Sequence, residues 1–571
     1  MSFLNDKDSN NRCLIRQKGA FFLLCPLFYP GFLKLLCPAG GFSLFFVIFV
    51  SIIWLWVLLW QVPGTGESYM SNNGGNTDSP AGNYRRAIKY LGIFGGAQGV
   101  SVLLGMLRNK VAFVLLGAVG FGLIALYNRT VQLFCDFTGL SLSLSAVRRM
   151  SDAYCNEDEA SVRHCVKVVR SIALLTGFAG MMLMLLLSPL VSWLTFDGDG
   201  YHTLRLALLS PVVMFMAVAG GELAVLRGVK QPARIALYTL WTAVSAVLVS
   251  VPLYYFFGVG AIYVSIFLVA LMQMAGALFF STRLYAYRAN PFSQVLVREG
   301  VDIIKLGAGY IYASMLVSGA MWLVYQAITR IGGEDAVGLF SAGYILVGML
   351  PSILFAAFDS DYYPRLSGIF AHRDERNAMV NEHIEAHLLI QVPVIFGVVV
   401  LLPWLFPLLF SQEAMPALQM TQLAVIALLF HIMTYPISFL PVSKGDTVTF
   451  ALQETVYNVA FVSLTILGYC YYGWLGAGVG MILARVIDLL VVYSIARVRY
   501  GFRLSGRAAE GFGQAVVAGA VLVVSQFGSA VYPRLQFAGF VVAALAVVVS
   551  LYRLSRHGNI LSSILKRIFK K

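Results

Sequence analysis

The sequence predicts an all-α polytopic membrane protein, with about fourteen transmembrane helices arranged as two six-helix repeats and two further helices. Three observations predict this fold class: an apolar composition, regularly spaced apolar stretches, and residues that recur 216 positions apart. Of the 571 residues, 59% are hydrophobic and only 12% are charged, and the mean hydropathy is +0.78. Such a chain has too few polar side chains to cover the surface of a soluble globule.

Apolar stretches of about 20 residues, the length that crosses hydrocarbon as a helix, follow one another from residue 85 with short polar breaks. They cover residues 89–115, 119–145, 170–195, 203–226, 235–257, 260–282, 304–328, 337–358, 386–410, 418–442, 449–471, 475–496, 512–531 and 536–554. If the first helix starts in the cytoplasm, every second connection should be rich in Lys and Arg. The basic residues do fall there, from Arg148 and Arg149 to the tail at 553–571, so the C-terminus is predicted to be cytoplasmic.

The residues that recur 216 positions apart indicate a duplication. Gly122-Leu123 returns as Gly338-Leu339, Arg149 as Arg365, and Gly260-Ala261 as Gly476-Ala477. The predicted units are an N-terminal lobe at 85–300, a C-terminal lobe at 301–505, and residues 506–571 with two extra helices and a basic tail. Because six is an even number, the two lobes share one orientation and are related by an axis along the membrane normal. Two similar lobes that rock around a central site are typical of alternating-access carriers.

Several function classes are excluded by the composition. The net charge of +14 is explained by basic cytoplasmic loops facing anionic lipid, which leaves no concentrated basic surface for nucleic acid. The seven cysteines form no CxxC pair and no cluster with histidine, so neither a disulfide framework nor a metal site is predicted. A GxxxxGK[ST] phosphate loop is absent from the sequence, and we expect no cofactor and no ATP hydrolysis. The predicted non-cytoplasmic turns are short and offer no catalytic residues, so an enzyme is not expected.

Residues 1–69 do not follow this pattern. Their apolar run at 41–60 is long enough to span a membrane, but it would reverse the orientation of the basic Arg85-Arg86 segment. The run also lies too far from residue 1 and lacks the small-residue cleavage site of a signal peptide. We expect synthesis to begin at Met70, and a genuine extra anchoring helix is the alternative.

Polar residues at hydrocarbon depth are the candidate functional residues, because a buried charge costs at least ~2.5 kcal/mol and is usually kept for a purpose. Arg108 and Lys110 follow Gln98 in a long apolar stretch, and they either line a cavity or belong to a short outer loop and snorkel. In the second span, Arg129 and Asp136 share a helix face. They either pair or line one cavity.

Carboxylates in the spans are candidates for ion coupling, namely Asp136, Glu222, Glu454 and Asp488. Asp488 is also spaced for an intrahelical ion pair with Arg485, which is the favoured interpretation because pairing lowers the cost of burying both charges. His431 is interpreted as a hydrogen-bonded core residue rather than a proton relay.

The opening of the first two spans resembles a known family. The sequences Gly95-Gly-Ala-Gln98, Leu104-Gly-Met-Leu-Arg-Asn-Lys110 and Leu116-Gly-Ala-Val-Gly-Phe-Gly122 are similar to those of the polysaccharide and O-antigen flippases. These flippases belong to the multidrug, oligosaccharidyl-lipid and polysaccharide exporter superfamily. The resemblance covers residues 85–505 in helix count, repeat and loop texture, while motif similarity is confined to the first two spans. Arg108 looks like the first-helix arginine that faces a cationic cavity in the related lipid II flippases.

The resemblance implies a polyprenyl-diphosphate-linked oligosaccharide as cargo, flipped across the bacterial inner membrane for O-antigen or other lipopolysaccharide and surface polysaccharide biosynthesis. Arg108 and Lys110 would bind the diphosphate, with Arg129 and Gln98 as further candidates, because guanidinium grips phosphate oxygens bidentately. Membrane lipids are expected partners, and a polysaccharide polymerase and a chain-length regulator are candidate partners. Two alternatives are an ion-coupled multidrug antiporter of the same superfamily, with acidic cavity groups, and a non-transporting membrane scaffold.

Overall fold

The computed structural model describes residues 80–556 except 139–146, 148–149, 152–153, 155–158, 197, 307, 355–361, 364 and 529–533. Apart from residues 80–86, they belong to one compact unit, Ala87–Lys571. The predictions for residues 1–69, for a start at Met70 and for the tail beyond residue 556 lie outside the described residues.

The described residues form long helices and no strand, which confirms the predicted all-helical class. The helices are α1 (Pro80–Phe137), α2 (Glu159–Phe196), α3 (Gly200–Gly228), α4 (Pro232–Phe257), α5 (Ile262–Thr282), α6 (Gln294–Leu306), α7 (Ala308–Leu354), α8 (Arg373–Leu409), α9 (Leu418–Lys444), α10 (Thr447–Tyr500), α11 (Gly506–Gly528) and α12 (Arg534–Arg556). Short 3₁₀ turns at Gly258–Ala261 and Gln412–Ala417 precede α5 and α9. Within this part of the chain, nine helical segments are long and apolar enough to cross a membrane.

Three of the helices are interrupted by a glycine with positive φ. The φ angles are 68° at Gly117 in α1, 83° at Gly333 in α7 and 58° at Gly473 in α10. Side chains with a Cβ rarely adopt this region, so glycine is what permits the chain to turn. Each interruption falls in a break between two of the predicted apolar stretches.

At each interruption the helix folds back on itself. In α7 the rings of Tyr325 and Phe340 lie 5.4 Å apart, whereas fifteen residues of straight helix would separate them by about 22 Å. In α1 the rings of Phe113 and Phe121 also lie 5.4 Å apart. In α10 the backbones on the two sides of Gly473 come into direct contact. The three long helices are therefore helical hairpins.

The second arms of α1 and α7 cross in close, reciprocal contact. A Cβ added at Gly122 would collide with the carbonyl oxygen of Glu334, and one added at Gly338 would collide with the carbonyl oxygen of Ala118. Both glycines and both carbonyls are 216 positions apart. The offset read from the sequence thus connects positions that make equivalent contacts.

The last two helices extend the second half of the fold. Helices α11 and α12 pack on each other and on α8. One continuous core of buried apolar side chains runs from Ala112 in α1 to Ala543 in α12. Helices α7, α9 and α10 contribute to this core and also line the polar cavity described below.

Candidate functional site

Arg108 and Lys110 have different surroundings although they are neighbours on α1. Arg108 is partly exposed and forms no hydrogen bond or ion pair with any described residue. The Lys110 ammonium donates to the carbonyl oxygen of Leu408 at 2.6 Å and to that of Pro407 at 3.3 Å. These carbonyls lie at the C-terminal end of α8. A cation there satisfies carbonyl oxygens that have no partner within the helix and interacts favourably with the negative end of the helix dipole.

A second basic side chain makes the matching contact on α2. The Nε of Arg330 in α7 donates to the carbonyl oxygen of Leu194 near the end of α2, at 3.0 Å. Lys110 lies on the first predicted span of one lobe and caps the third span of the other. Arg330 lies just after the first predicted span of the second lobe and caps the third span of the first. We refer to Lys110 with Leu408 and Arg330 with Leu194 as the paired helix caps. The sequence carries no local signal for them, because their partners lie 298 and 136 positions away.

Arg129 and Asp136 do not pair with each other. Asp136 accepts hydrogen bonds from Gln132 of its own helix, at 3.0 Å, and from the hydroxyl of Ser318 in α7. The Arg129 guanidinium lies 5.4 Å from the ring centroid of Tyr325 in α7. Both side chains therefore face α7, across the boundary between the two predicted lobes.

The α1 hairpin brings Arg108 and Arg129 to similar depths. They lie nine and twelve residues from the turn at Gly117, which corresponds to about 14 and 18 Å along the two arms. Both side chains are partly exposed, and Arg129 also forms no salt bridge among the described residues. Gln98 lies further along the first arm and is exposed.

A polar cavity of about 230 Å³ lies within the second half of the chain, between α7, α9 and α10. Its polar lining consists of Tyr344, His431, Thr434, Ser438, Gln453, Glu454, Tyr457, Asn458, Arg485 and Asp488. Arg485 Nη1 donates to Asp488 Oδ2 at 3.2 Å, which confirms the predicted intrahelical pair. The same guanidinium lies 4.0 Å from the ring centroid of Tyr457. The cavity thus holds one cation and two carboxylates.

The amide of Gln453 indicates that the cavity can bind water or another polar species. The side chain is 96% buried, and neither its nitrogen nor its oxygen has a hydrogen-bond partner among the described residues. A buried amide without partners costs about 1–3 kcal/mol. Water or another polar species in the cavity would remove this cost.

Glu222 is not among the residues that line this cavity. Its carboxylate accepts from Arg170 of α2 in a bidentate pair, at 2.8 Å from Nε and 2.9 Å from Nη2, and both side chains are only 1% exposed. Arg170 also donates to the carbonyl oxygens of Tyr285 and Ala286, beyond the end of α5. Sequence reasoning missed Arg170, because a cation at the edge of an apolar stretch gives no indication of a partner 52 positions away.

The structure therefore distributes the four candidate carboxylates over three regions. Glu454 and Asp488 meet in the cavity, Arg129 and Asp136 lie at the contact of α1 with α7, and Glu222 belongs to a buried ion pair. Arg108 and Arg129 share the α1 hairpin, while Lys110 is engaged by the end of α8.

The apolar helices and the central contact of α1 with α7 define a multi-pass membrane protein. Residues 88–370 match the family model described as "Polysaccharide biosynthesis protein", and the chain belongs to this family. No curated protein sequence matches the chain.

Three solved structures share the fold. The structure titled "Lipid II flippase MurJ, inward closed conformation" matches with a TM-score of 0.61 and 14% identity, over 81% of this chain and 99% of that chain. An inward-facing and an outward-facing multidrug resistance MATE family transporter of the MOP superfamily match with TM-scores of 0.56 and 0.53. Their identities are 14% and 15%, and they cover 70% and 72% of this chain and 94% and 96% of their own.

Proposed function

We propose that this protein flips polyprenyl-diphosphate-linked oligosaccharide repeat units from the cytoplasmic to the outer leaflet of the bacterial inner membrane. The repeat units would supply O-antigen or another surface polysaccharide, in line with the family described above. The sugar head cannot cross hydrocarbon unaided, because each polar group would lose its hydrogen bonds to water. The polyprenyl tail can stay in the lipid while the head passes through the protein.

The observation that carries this proposal is the cationic hairpin of α1. Arg108 and Arg129 lie at similar depth, partly exposed and without a carboxylate partner in the described part of the chain. Two unpaired guanidinium groups on the arms of a membrane-spanning hairpin are costly, and a diphosphate that accepts bidentate hydrogen bonds offsets this cost. Gln98 adds a hydrogen-bonding group for the head, and Lys110 joins this set when its contact with the end of α8 is released.

Alternating access is supported by the reciprocal contact between α1 and α7. We interpret the turns at Gly117, Gly333 and Gly473 as connections between crossings, which makes fourteen crossings in two repeats, 85–300 and 301–505, and a pair of helices at 506–571. The charge pattern predicts that the C-terminus is cytoplasmic and that the paired helix caps lie on the outer side. In this arrangement the caps close the outer side, and rocking of the two repeats would exchange them for contacts on the cytoplasmic side.

The alternative of an ion-coupled drug antiporter rests on a different observation. Glu454 and Asp488 give the cavity the acidic groups that a cationic drug would require. Arg485, however, already occupies the same cavity and pairs with Asp488 at 3.2 Å. An organic cation would have to displace this guanidinium, so we favour the lipid-linked sugar as cargo and assign the carboxylates to ion coupling.

The proposal is tested by complementation of a strain that lacks its polysaccharide flippase. The full chain should restore surface polysaccharide, and Arg108→Gln should reduce it at least tenfold at matched expression. Arg108→Lys should rescue only in part, since an ammonium cannot bind phosphate bidentately. The matched control is Arg298→Gln, which removes an exposed arginine from the short helix α6.

Two outcomes would count against the proposal. Equal rescue by the wild-type chain and by an Arg108→Gln, Arg129→Gln double variant would remove the cationic hairpin from the site. Failure of the correctly inserted wild-type chain in strains that make several different repeat units would favour the antiporter or the scaffold.

A further inference from the structure

Three of the seven histidines lie close together at the boundary of α8 and α9. His383 and His387 are one turn apart on α8, with ring centroids separated by 5.0 Å. His431 is on α9. Tyr435 of α9 stands between the two groups, 6.2 Å from the ring of His387 and 5.5 Å from the ring of His431.

The four rings form a file that runs from the surface to the cavity. His383 is partly exposed, about 15 Å along α8 from its first residue, and the predicted apolar stretch begins just after it. His387 is completely buried, and His431 lines the polar cavity that Glu454 and Asp488 also line. The charge pattern places the start of α8 on the cytoplasmic side, so the file leads from the cytoplasmic surface into the cavity.

Polar neighbours hold these rings in place. The Nε2 of Gln391 lies 2.5 Å from Nδ1 of His387. The ring of His383 stacks on that of Tyr362 at 3.9 Å, and the Tyr362 hydroxyl donates to the carbonyl oxygen of Pro436. Rings whose centroids lie 5.0 to 6.2 Å apart are close enough for one water molecule to bridge their polar atoms.

The charged and titratable groups that share the cavity with His431 come from two other helices. From α10 these are Arg485, Glu454 and Asp488, and from α7 it is Tyr344. On α9 itself the neighbour is Thr434, whose hydroxyl lies 3.3 Å from Nδ1 of His431. The cavity that His431 lines therefore also contains one guanidinium and two carboxylates.

Near the surface, Glu385 is the acidic group of α8 that lies between the two histidines in the sequence. Its carboxylate accepts from the Ser505 hydroxyl at 2.9 Å. At the mouth of the file, the partly exposed imidazole of His383 is the group that can exchange protons with water, whereas Glu385, two residues on, lies on another face of α8.

We propose that His383, His387, Tyr435 and His431 form a proton path between the cytoplasm and the carboxylates of Glu454 and Asp488, so that the ion coupled to transport is a proton. This inference rests on the proposed transport function and names its driving ion. It adds a relay role to the hydrogen-bonded position of His431, since the neighbouring rings could not be seen in the sequence.

Each transfer conserves the proton. A carboxyl group of Glu454 or Asp488 releases a proton to one ring nitrogen of His431, and the carboxylate that remains pairs with Arg485. His431 gives up a proton from its other nitrogen to the Tyr435 hydroxyl, which passes its own to His387 and then to His383 and water. While the paired helix caps close the outer side, this path discharges the cavity to the cytoplasm, opposite to the movement of the cargo.

The test uses the purified full chain in phospholipid vesicles that enclose a pH-sensitive dye. An imposed pH gradient, with and without added polyprenyl diphosphate, should collapse faster in these vesicles than in empty ones, whereas a sodium gradient should have no effect on the rate. His387→Gln and His431→Gln should slow the collapse at least tenfold. The matched control is His164→Gln, which changes an exposed histidine that contacts Glu299 at 3.0 Å, outside the file.

A variant at the mouth guards against loss of folding. His383→Gln changes a partly exposed side chain, and added imidazole should restore its proton flux, which no packing role would allow. The proton path is overturned if the wild-type chain shows no flux above empty vesicles, or if His387→Gln and His431→Gln match it. The rings would then serve as packing only.

Complementation separates this inference from the proposed function. A chain that restores surface polysaccharide without proton flux would keep flipping and eliminate the path. Histidine-dependent flux in a chain that restores no polysaccharide would keep the path and eliminate flipping.

Discussion

Replacing Glu222 by glutamine tests whether this carboxylate is structural or takes part in ion coupling. In the structure it accepts two hydrogen bonds from Arg170, at 2.8 and 2.9 Å, and both side chains are 1% exposed. Glu222→Gln keeps the shape of the side chain but leaves the guanidinium as an uncompensated buried charge. We therefore expect a large loss of stability.

The expected cost is about 3–5 kcal/mol, the range observed when one partner of a buried ion pair is removed. Arg170 retains its hydrogen bonds to the carbonyl oxygens of Tyr285 and Ala286, at 3.2 and 2.8 Å, which favours the lower end. A loss of 3 kcal/mol lowers the equilibrium constant for folding by a factor of more than about one hundred. Removing both charges, as in Arg170→Met with Glu222→Leu, should cost less than Glu222→Gln alone.

Helix α2, which carries Arg170, also offers a matched control. Arg163 and Glu159 form an ion pair at 2.6 Å whose side chains are 66% and 61% exposed. Glu159→Gln should leave the stability almost unchanged, because an exposed pair of this spacing gains little from its charges. The difference between the two variants therefore measures the effect of burial.

Unfolding in mixed micelles with increasing dodecyl sulfate, followed by tryptophan fluorescence, measures both variants against the wild type. A cost below about 1 kcal/mol for Glu222→Gln, similar to that of Glu159→Gln, would refute the reasoning. Retained stability together with lost proton coupling would return Glu222 to the set of coupling residues.

Two further predictions concern the central crossing and the turn before α10. Gly338→Ala should destabilise the protein by about 1–3 kcal/mol in the same unfolding assay, because the added methyl group collides with the Ala118 carbonyl. The control Gly348→Ala should not destabilise it, because the methyl group there meets open space. Equal effects of the two variants would contradict a tight crossing. Slight burial acts to raise the pKa of Asp446, but hydrogen bonds from Tyr500 and the neighbouring Thr449, together with a nearby guanidinium, hold it below its ordinary value. The stabilisation by the Asp446 carboxylate should be complete above the unfolded pKa of about 3.9 and disappear as the pH falls further. The difference in stability between wild type and Asp446→Asn should therefore shrink below about pH 4. A difference that does not depend on pH would contradict this prediction.

The sequence determined those features that depend on neighbours along one helix. Apolar stretches predicted the helices, because a chain in hydrocarbon must satisfy its backbone hydrogen bonds within itself. The offset of 216 positions predicted equivalent positions in two halves, and Gly117 and Gly333 are both turns. The pair of Arg485 with Asp488 followed from a spacing of three residues on one helix.

The tertiary structure decided which helix faces which. Most of these helices are apolar on all sides, so their periodicity does not indicate how each one is rotated about its axis. Contacts between helices therefore carry no local signal: Glu222 meets Arg170 across 52 positions, and Lys110 reaches Leu408 across 298. The file of His387, Tyr435 and His431 arises in the same way, because only the packing of α8 against α9 brings these rings together beside the cavity.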